Sequence, residues 1–283
     1  MKQYKTVLKE AEASLSVYGQ ETRTASIVME ELFGMNFSKL MVYGDDVMPE
    51  DDYKKFEEIM VRICNNEPYQ YVLGEAYFYD AYFKVTPDTL IPRNETEELV
   101  DFVLRNEHDS GMTAVDIGTG TGAIGLTLAR YWELNRVIVT DLSKAALEVA
   151  KENGERLGAT AEYLEGSLFV PLVDKEIKAD IIISNPPYIS EDEKHLMTAS
   201  VLEHEPQTAL FAKDSGLALY KEMIRTLDGV LNPGGRVYFE IGFNQAKVLK
   251  TFIENVLPGT DVHTIKDINQ NDRILYFTRG EKQ

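Results

Sequence analysis

One cysteine in 283 residues, Cys64, excludes an intrachain disulfide and any metal cluster built from several thiolates of one chain. Set in Val61-Arg62-Ile63-Cys64, it reads as a small core residue of a helix. No apolar run reaches the ~18 residues that mark a membrane span, so no membrane contact is expected. The opening stretch Met1–Glu10 has no apolar segment or small-residue cleavage site, which argues against secretion and for a cytoplasmic protein. Positive charge is scarce as well. Lys and Arg number 29 against 47 Asp and Glu, a formal net charge of −18. Both the first ninety residues and the remainder are net acidic, and neither holds a Lys/Arg-rich stretch. An enzyme that grips a duplex neutralises several phosphates with clustered cations. No direct nucleic-acid contact is therefore expected, and a basic protein partner suits the charge better. The four histidines, His108, His195, His204 and His263, lack metal-ligand spacing, so no metal is expected. Internal repeats and low-complexity tracts are absent too.

What remains is an ordinary globular composition, 44% hydrophobic, in a chain long enough for one domain of typical size plus a smaller one. Tyr4, Leu8, Ala11 and Leu15 fall on one helical face, and Ala25, Val28, Met29 and Leu32 repeat the pattern before Gly34 offers a stop. Pro49 suits the first turn of a third helix with Phe56, Ile59, Met60 and Ile63 on its buried face. Residues 1–72 thus read as a small all-helical domain for substrate recognition. Residues 73–94 read as a linker, with a β-hairpin over Tyr77–Val85 that turns at Asp80-Ala81. From about Glu95 a helix opens the catalytic domain, 95–283.

Within that domain strands and helices alternate. Strands are expected at Thr113–Ile117, Arg136–Asp141, Ala161–Glu165, Asp180–Ser184, Arg236–Ile241, Val262–Ile265 and Ile274–Thr278. Helices are expected at Gly122–Trp132, Ser143–Leu157, Ser215–Leu231 and Asn244–Val256. The fold class is α/β, a doubly wound, mostly parallel seven-stranded sheet whose last two strands form an antiparallel edge. In such sheets ligands bind beyond the carboxyl ends of the strands.

The first of these strands runs into Gly118-Thr119-Gly120-Thr121-Gly122, with Gly125 three residues on. Glycines there let the backbone turn tightly and approach a ligand. The second strand ends in Asp141, about twenty residues beyond the loop, where a carboxylate can accept from both hydroxyls of a ribose. Either a nicotinamide dinucleotide or S-adenosylmethionine (SAM) fits this pair of features.

The choice between them falls to Asn185-Pro186-Pro187-Tyr188, which follows a buried apolar strand. An amide or aromatic amino nitrogen is a poor nucleophile because its lone pair is delocalised. The Asn185 side-chain oxygen and the Pro186 carbonyl are two acceptors able to hold its two hydrogens. Held so, the nitrogen faces an electrophilic methyl group with the attacking lone pair favoured. Pro187 restricts Pro186 to extended geometry, and Tyr188 offers a flat face for a planar group. These residues point to SAM-dependent methylation of a planar nitrogen, with Asn185, Pro186 and Tyr188 as the catalytic candidates.

The chain resembles the peptide chain release factor glutamine methyltransferases (PrmC/HemK type) over nearly its whole length. The resemblance rests on Thr89–Glu97, Asp116–Gly125, Ser184–Ile189, Glu205–Leu210, Asp214–Gly216 and Asn271–Arg273. It implies a Rossmann-like SAM methyltransferase domain and methylation of the side-chain N(5) of glutamine in the Gly-Gly-Gln motif of class 1 release factors, with S-adenosylhomocysteine as co-product. It implies that Gly118, Thr119, Gly120, Thr121 and Gly122 line the methionine end of SAM and Asp141 its ribose, with Asn185 also touching the cofactor. Ser167 and Leu168 would flank the adenine, and Asn185, Pro186, Pro187 and Tyr188 would hold the glutamine. The small domain would help grip the release factor, with the enzyme acting as a monomer. Asn94 stands where many members have Pro, Ser167 where an Asp is common, and Leu168 where some have an aromatic.

Four rival readings stand against this one. Glutamine methylation of a ribosomal protein uses the same chemistry, but Ile91–Glu97 resembles the release-factor branch better. Amino-methylation of a nucleic-acid base uses the same Asn-Pro-Pro-Tyr geometry and conflicts with the charge. A nicotinamide-linked oxidoreductase leaves Asn185–Tyr188 unexplained, and a catalytically dead binding module leaves a complete site unused. Arg93, Arg273 and Glu240 read either as site residues or as ordinary ion-paired or backbone-capped groups, and Glu191-Asp192-Glu193 as a solvated helix start.

Overall fold

The computed structural model describes residues 2–280. They divide into two compact units. One is the chain up to Gly74 together with Thr198–His204, and the other is Glu75–Met197 together with the chain from Glu205 onward.

The smaller unit is helical: α1 (Tyr4–Val17), α2 (Arg23–Phe33), α3 (Phe37–Tyr43), α4 (Glu50–Cys64) and α5 (Tyr69–Leu73). The apolar stripes seen in the sequence form its core, with Leu15, Val28, Met29 and Phe56 almost wholly enclosed. Gly34 takes the left-handed conformation that closes α2. Pro49 sits one position before α4 rather than inside its first turn, and Glu50, Asp51 and Asp52 occupy the turn itself, where acids suit the helix dipole. The short α3 and α5 were not anticipated, since helices of seven and five residues hold too few turns to show a period.

The larger unit opens with a hairpin, β1 (Glu75–Phe78) and β2 (Ala81–Lys84). Phe78 pairs with Ala81, so the turn is Tyr79-Asp80, one residue earlier than expected, and Tyr79 adopts a left-handed φ of 60°. The hairpin is more than a connector: Phe78 and Phe83 are fully buried in this unit's core. The buried Asn153 fastens its far end by accepting from the Lys84 N–H and donating to the carbonyls of Lys84 and Thr121.

After the hairpin come α6 (Asn94–Asn106), β3 (Thr113–Ile117), α7 (Ala123–Tyr131), β4 (Arg136–Asp141), α8 (Lys144–Leu157), β5 (Glu162–Glu165), α9 (Val170–Asp174) and β6 (Ala179–Ser184). The chain continues through a 3-10 turn (Glu191–Leu196), α10 (Ala199–His204, part of the smaller unit), α11 (Gln207–Leu210) and α12 (Ala218–Thr226). It ends with β7 (Leu231–Glu240), α13 (Ala246–Val256), β8 (Val262–Lys266) and β9 (Asp272–Thr278). The seven strands are ordered β5-β4-β3-β6-β7-β9-β8, with only the β7–β9 and β9–β8 pairings antiparallel. The expected seven-stranded, mostly parallel α/β sheet is what the chain forms.

Alternation along the strands divides the core between the two faces. Val115, Ile117, Ile182, Val237 and Phe239 meet α12 and α13 through Tyr220, Met223, Leu249 and Ile253. Ala114, Ile181, Ile183 and Tyr238 belong with Leu99, Val100, Val103, Ile124 and Leu128 on the other face. The run Ile181-Ile182-Ile183 is wholly enclosed, as a central parallel strand covered on both sides requires. Among the boundaries that depart from expectation, the start of β7 and the start of α12 have clear causes. β7 begins at Leu231, because Asn232–Gly235 bulge out between the pairings Ala179–Leu231 and Ile181–Arg236, which accommodates Pro233. α12 starts at Ala218 because Asp214, Ser215 and Gly216 all have positive φ, which no helix continues.

Candidate active site

Successive connections place β4 on one side of β3 and β6 on the other, so the order reverses at β3. A crevice opens where the loops beyond neighbouring strand ends part in opposite directions. A cleft of about 360 Å³ lies there, in the size range of small-ligand sites. It is lined at the strand ends by Gly118, Gly120, Asp141, Ser167, Leu168, Asn185, Pro186 and Pro187. Eight of the residues singled out in the sequence thus share one cleft.

Backbone groups build its β3–β4 side. The Gly118 and Thr119 N–H groups both donate to the Thr140 carbonyl at the end of β4. Gly118 and Gly120 hold φ of +71° and +56°, and a Cβ added to either would meet nothing within 4 Å. No side chain therefore separates the main chain from the cleft. Asp141 accepts from the Gly120 N–H through Oδ2 (2.9 Å) and from the Ser143 N–H through Oδ1 (2.8 Å). Burial pushes its carboxyl above the usual range, and these bonds oppose that. Behind the loop, Asp116 Oδ2 accepts from the Gly125 N–H (3.0 Å) and from the Thr119 hydroxyl, while Oδ1 is buried without a partner. Burial raises the Asp116 carboxyl to about 6.

Thr119, Thr121, Gly122 and Tyr188 are not among the residues that line the cleft. The two threonines are buried within the loop, and Gly122 precedes α7, where an added Cβ would collide with Leu126. The half-buried Tyr188 packs on the core beneath α12, with its carbonyl accepting from Gln245 Nε2 and its hydroxyl from Arg273. Burial pushes the Tyr188 phenol well above its ordinary value.

Side chains build the β6 side. The Ser184 hydroxyl donates to the Ile117 carbonyl, locking the end of β6 to the end of β3 (2.7 Å). Asn185 Nδ2 donates to Thr96 Oγ1 on α6 (3.1 Å), and the Thr96 hydroxyl donates to Glu240 Oε2 at the end of β7 (2.7 Å). Thr96 and Glu240 are buried, and burial raises the Glu240 carboxyl to about 7, with Thr96 and Arg273 opposing the rise.

Two segments far apart in sequence complete the cleft: Asp88, Thr89 and Leu90 ahead of α6, and Pro206, Thr208 and Ala209 around α11. Glu205, itself buried, joins them by pairing with Arg93 and accepting from the Ile91 N–H. Arg93 is thus an ion-paired residue that fastens this strap. Arg273 pairs with Asp267 and also donates to the Ile241 carbonyl. Asp267 is itself buried. Among the described residues no cluster of His, Cys, Asp or Glu is arranged to hold a metal ion, and no helix is long and apolar enough to cross a membrane.

Residues 6–74 match the PrmC N-terminal domain family and residues 96–213 the methyltransferase small domain family. A release factor glutamine methyltransferase of Enterococcus faecalis is 41% identical over 96% of this chain and 98% of its own length. The chain belongs to the release factor glutamine methyltransferase family. Another member, from Staphylococcus aureus, is 39% identical over 98% of this chain and 99% of that one. A solved methyltransferase structure from Pyrococcus furiosus shares the fold, with a TM-score of 0.53 at 20% identity over 79% of this chain and 99% of that chain. The chain is therefore a methyltransferase. Ser167 and Leu168 both line the cleft, and Leu168 takes a left-handed φ of 46°.

Proposed function

We propose that this enzyme methylates the side-chain amide nitrogen of the Gly-Gly-Gln glutamine of a class 1 release factor, with SAM as the methyl donor. The observation that carries the reading is the fixed orientation of Asn185. Its Nδ2 is committed to Thr96, so its Oδ1 is the atom left for a substrate at the cleft. A neutral amide needs acceptors for its N–H groups rather than a strong base, because its proton becomes acidic only as the new bond forms. Asn185 Oδ1 and the Pro186 carbonyl supply two such acceptors, and Pro187 stiffens the segment that carries them. Together they orient the nitrogen and favour the pyramidal geometry of attack.

The β3–β4 side suits the cofactor. Bound there, SAM supplies an electrophilic sulfonium methyl. Each Asp141 oxygen already accepts one backbone N–H and keeps a lone pair for a ribose hydroxyl. The bare backbone at Gly118 and Gly120 allows close approach of the methionine portion. Ser167 and Leu168 would flank the adenine, with an apolar contact and a hydroxyl in place of a carboxylate. Thr119, Thr121 and Gly122 would shape the loop from behind, and Tyr188 would brace the Asn-Pro-Pro segment. The helical unit would help bind the release factor.

The test is transfer of labelled methyl from SAM to a purified class 1 release factor, with a Gly-Gly-Ala variant of the factor alongside. Label on the Gly-Gly-Gln form alone is expected. Equal label on both would overturn the assignment of the target residue, and label on neither would overturn the assignment of the substrate.

A further inference from the structure

Asn185 belongs to the recognised motif, yet a side-chain amide by itself does not define which of its two ends faces a substrate. Rotation by half a turn exchanges oxygen and nitrogen at almost no steric cost. The wrong rotamer would present N–H groups to the N–H groups of a substrate amide. Something must hold the right one.

We propose that Thr96 and Glu240 are positioning residues that set the Asn185 amide with its oxygen toward the substrate. The hydroxyl of Thr96 has one hydrogen to give, and Glu240 Oε2 takes it at 2.7 Å. Where Glu240 is ionised its carboxylate only accepts, and the direction of that bond is then fixed. Toward Asn185 the Thr96 oxygen has lone pairs and no hydrogen left. It therefore accepts from Nδ2 at 3.1 Å, and a flipped Asn185 would set its oxygen against that lone pair. The relay runs Asn185 to Thr96 to Glu240, each residue donating to the next, across α6, β6 and β7.

Burial makes the relay selective, since Thr96 and Glu240 are 5% and 1% exposed and bulk water does not compete for their bonds. Glu240 is faced by Thr96 and Glu95 on α6 and by Arg93 just before it. Arg273 on β9, Tyr188 after β6 and Tyr220 on α12 also face it. The Tyr220 hydroxyl donates to the Glu240 main-chain carbonyl and so holds the end of β7 without occupying the carboxylate. The consequence is a preference for glutamine over glutamate in the substrate. An amide offers two hydrogens to the Asn185 and Pro186 oxygens, whereas a carboxylate offers none and meets only lone pairs.

The proposal rests on the reading of Asn185 as the residue that holds the substrate amide, and the experiment separates the two. Thr96→Val removes the hydroxyl at nearly constant shape, and Thr96→Ser restores it. Methyl transfer to the Gly-Gly-Gln factor is expected to fall ten- to a hundred-fold in kcat for Thr96→Val, with SAM affinity within two-fold of wild type. Thr96→Ser is expected to retain most of the turnover. Equal turnover for the valine and wild-type enzymes would overturn the proposal, as would a serine variant no better than the valine. Inactive wild-type enzyme would instead count against the substrate reading. In either case the Asn185 side-chain NH2 resonances of the labelled full chain give a second, substrate-free answer. They are expected to move and to exchange faster with water in Thr96→Val, and unchanged resonances would overturn the relay.

Discussion

The two sides of the cleft are built from different materials. At the ends of β3 and β4 the main chain shapes the site: glycines with positive φ, N–H groups pointed at Asp141, and carbonyls that receive the loop. At the end of β6 the decisive contacts join side chains from distant parts of the chain, with Thr96 and Glu240 lying 89 and 55 positions from Asn185. Main-chain contacts of this kind would define where a ligand sits with little dependence on neighbouring side chains. The proposed side-chain relay would define which atom faces the ligand, and a single substitution is expected to undo it. The comparison teaches that one half holds and the other half orients.

This division can be broken most directly at Asn185. Asn185→Ala is expected to lower methyl transfer more than a hundred-fold while SAM affinity by calorimetry stays within a few-fold of wild type. A matching loss of SAM affinity would mean that the β6 side also holds the cofactor. Asp141→Ala is expected to do the reverse, weakening SAM binding roughly ten- to a hundred-fold, the range for hydrogen bonds to a charged group. Its kcat at saturating SAM should change only a few-fold, and a kcat loss that SAM does not restore would erase the distinction.

The smallest of these effects is a dependence on pH. Burial raises the Glu240 carboxyl to about 7, so it ionises as the pH rises through that value. Ionised, it accepts from Thr96 and holds the relay. As the pH falls below about 7 it takes up a proton, can donate to Thr96 instead, and no longer fixes the Asn185 amide. Turnover is expected to decline several-fold between pH 7.5 and 6, and Glu240→Gln, which does not titrate, should lack that acid limb. The sign for stability is opposite. The native state binds this proton more tightly than the unfolded chain does, so the group's contribution weakens as the pH rises from the ordinary carboxylate range through about 7. An acid limb that persists in Glu240→Gln would assign it to another group.

The same contrast governs what could be read from the sequence. The seven strands, the glycine turn and Asp141 are local patterns, and an alternation of apolar runs with turn residues suffices to find them. Asn185–Tyr188 is legible for the same reason, since its chemistry lies in four consecutive residues. Thr96 carries no such signal. It sits between two glutamates at the start of an amphipathic helix, and only the fold brings it to Asn185 and Glu240. Thr89 and Leu90 close the cleft from an irregular segment, and Thr208 and Ala209 from the four-residue α11, too short to show a period. The late start of α12 leaves no mark in the sequence because Asp214 and Ser215, rather than glycine alone, hold the left-handed backbone. The hairpin turn was displaced by one residue because Tyr79 takes a conformation that a tyrosine rarely adopts.

The reversal of strand order at β3 also bears on how the chain assembles. β3, β4 and β5 follow one another and pair with neighbours close in sequence, so the cradle around Asp141 can form over short loops. The β3–β6 pairing joins residues 67 positions apart, and the Thr96–Glu240 bond spans 144. Closing a longer loop costs more chain entropy, and that cost must be met before the distant contacts exist to offset it. The cradle around Asp141 thus rests on near neighbours in the chain, while the orientation of Asn185 depends on contacts that only the completed sheet supplies.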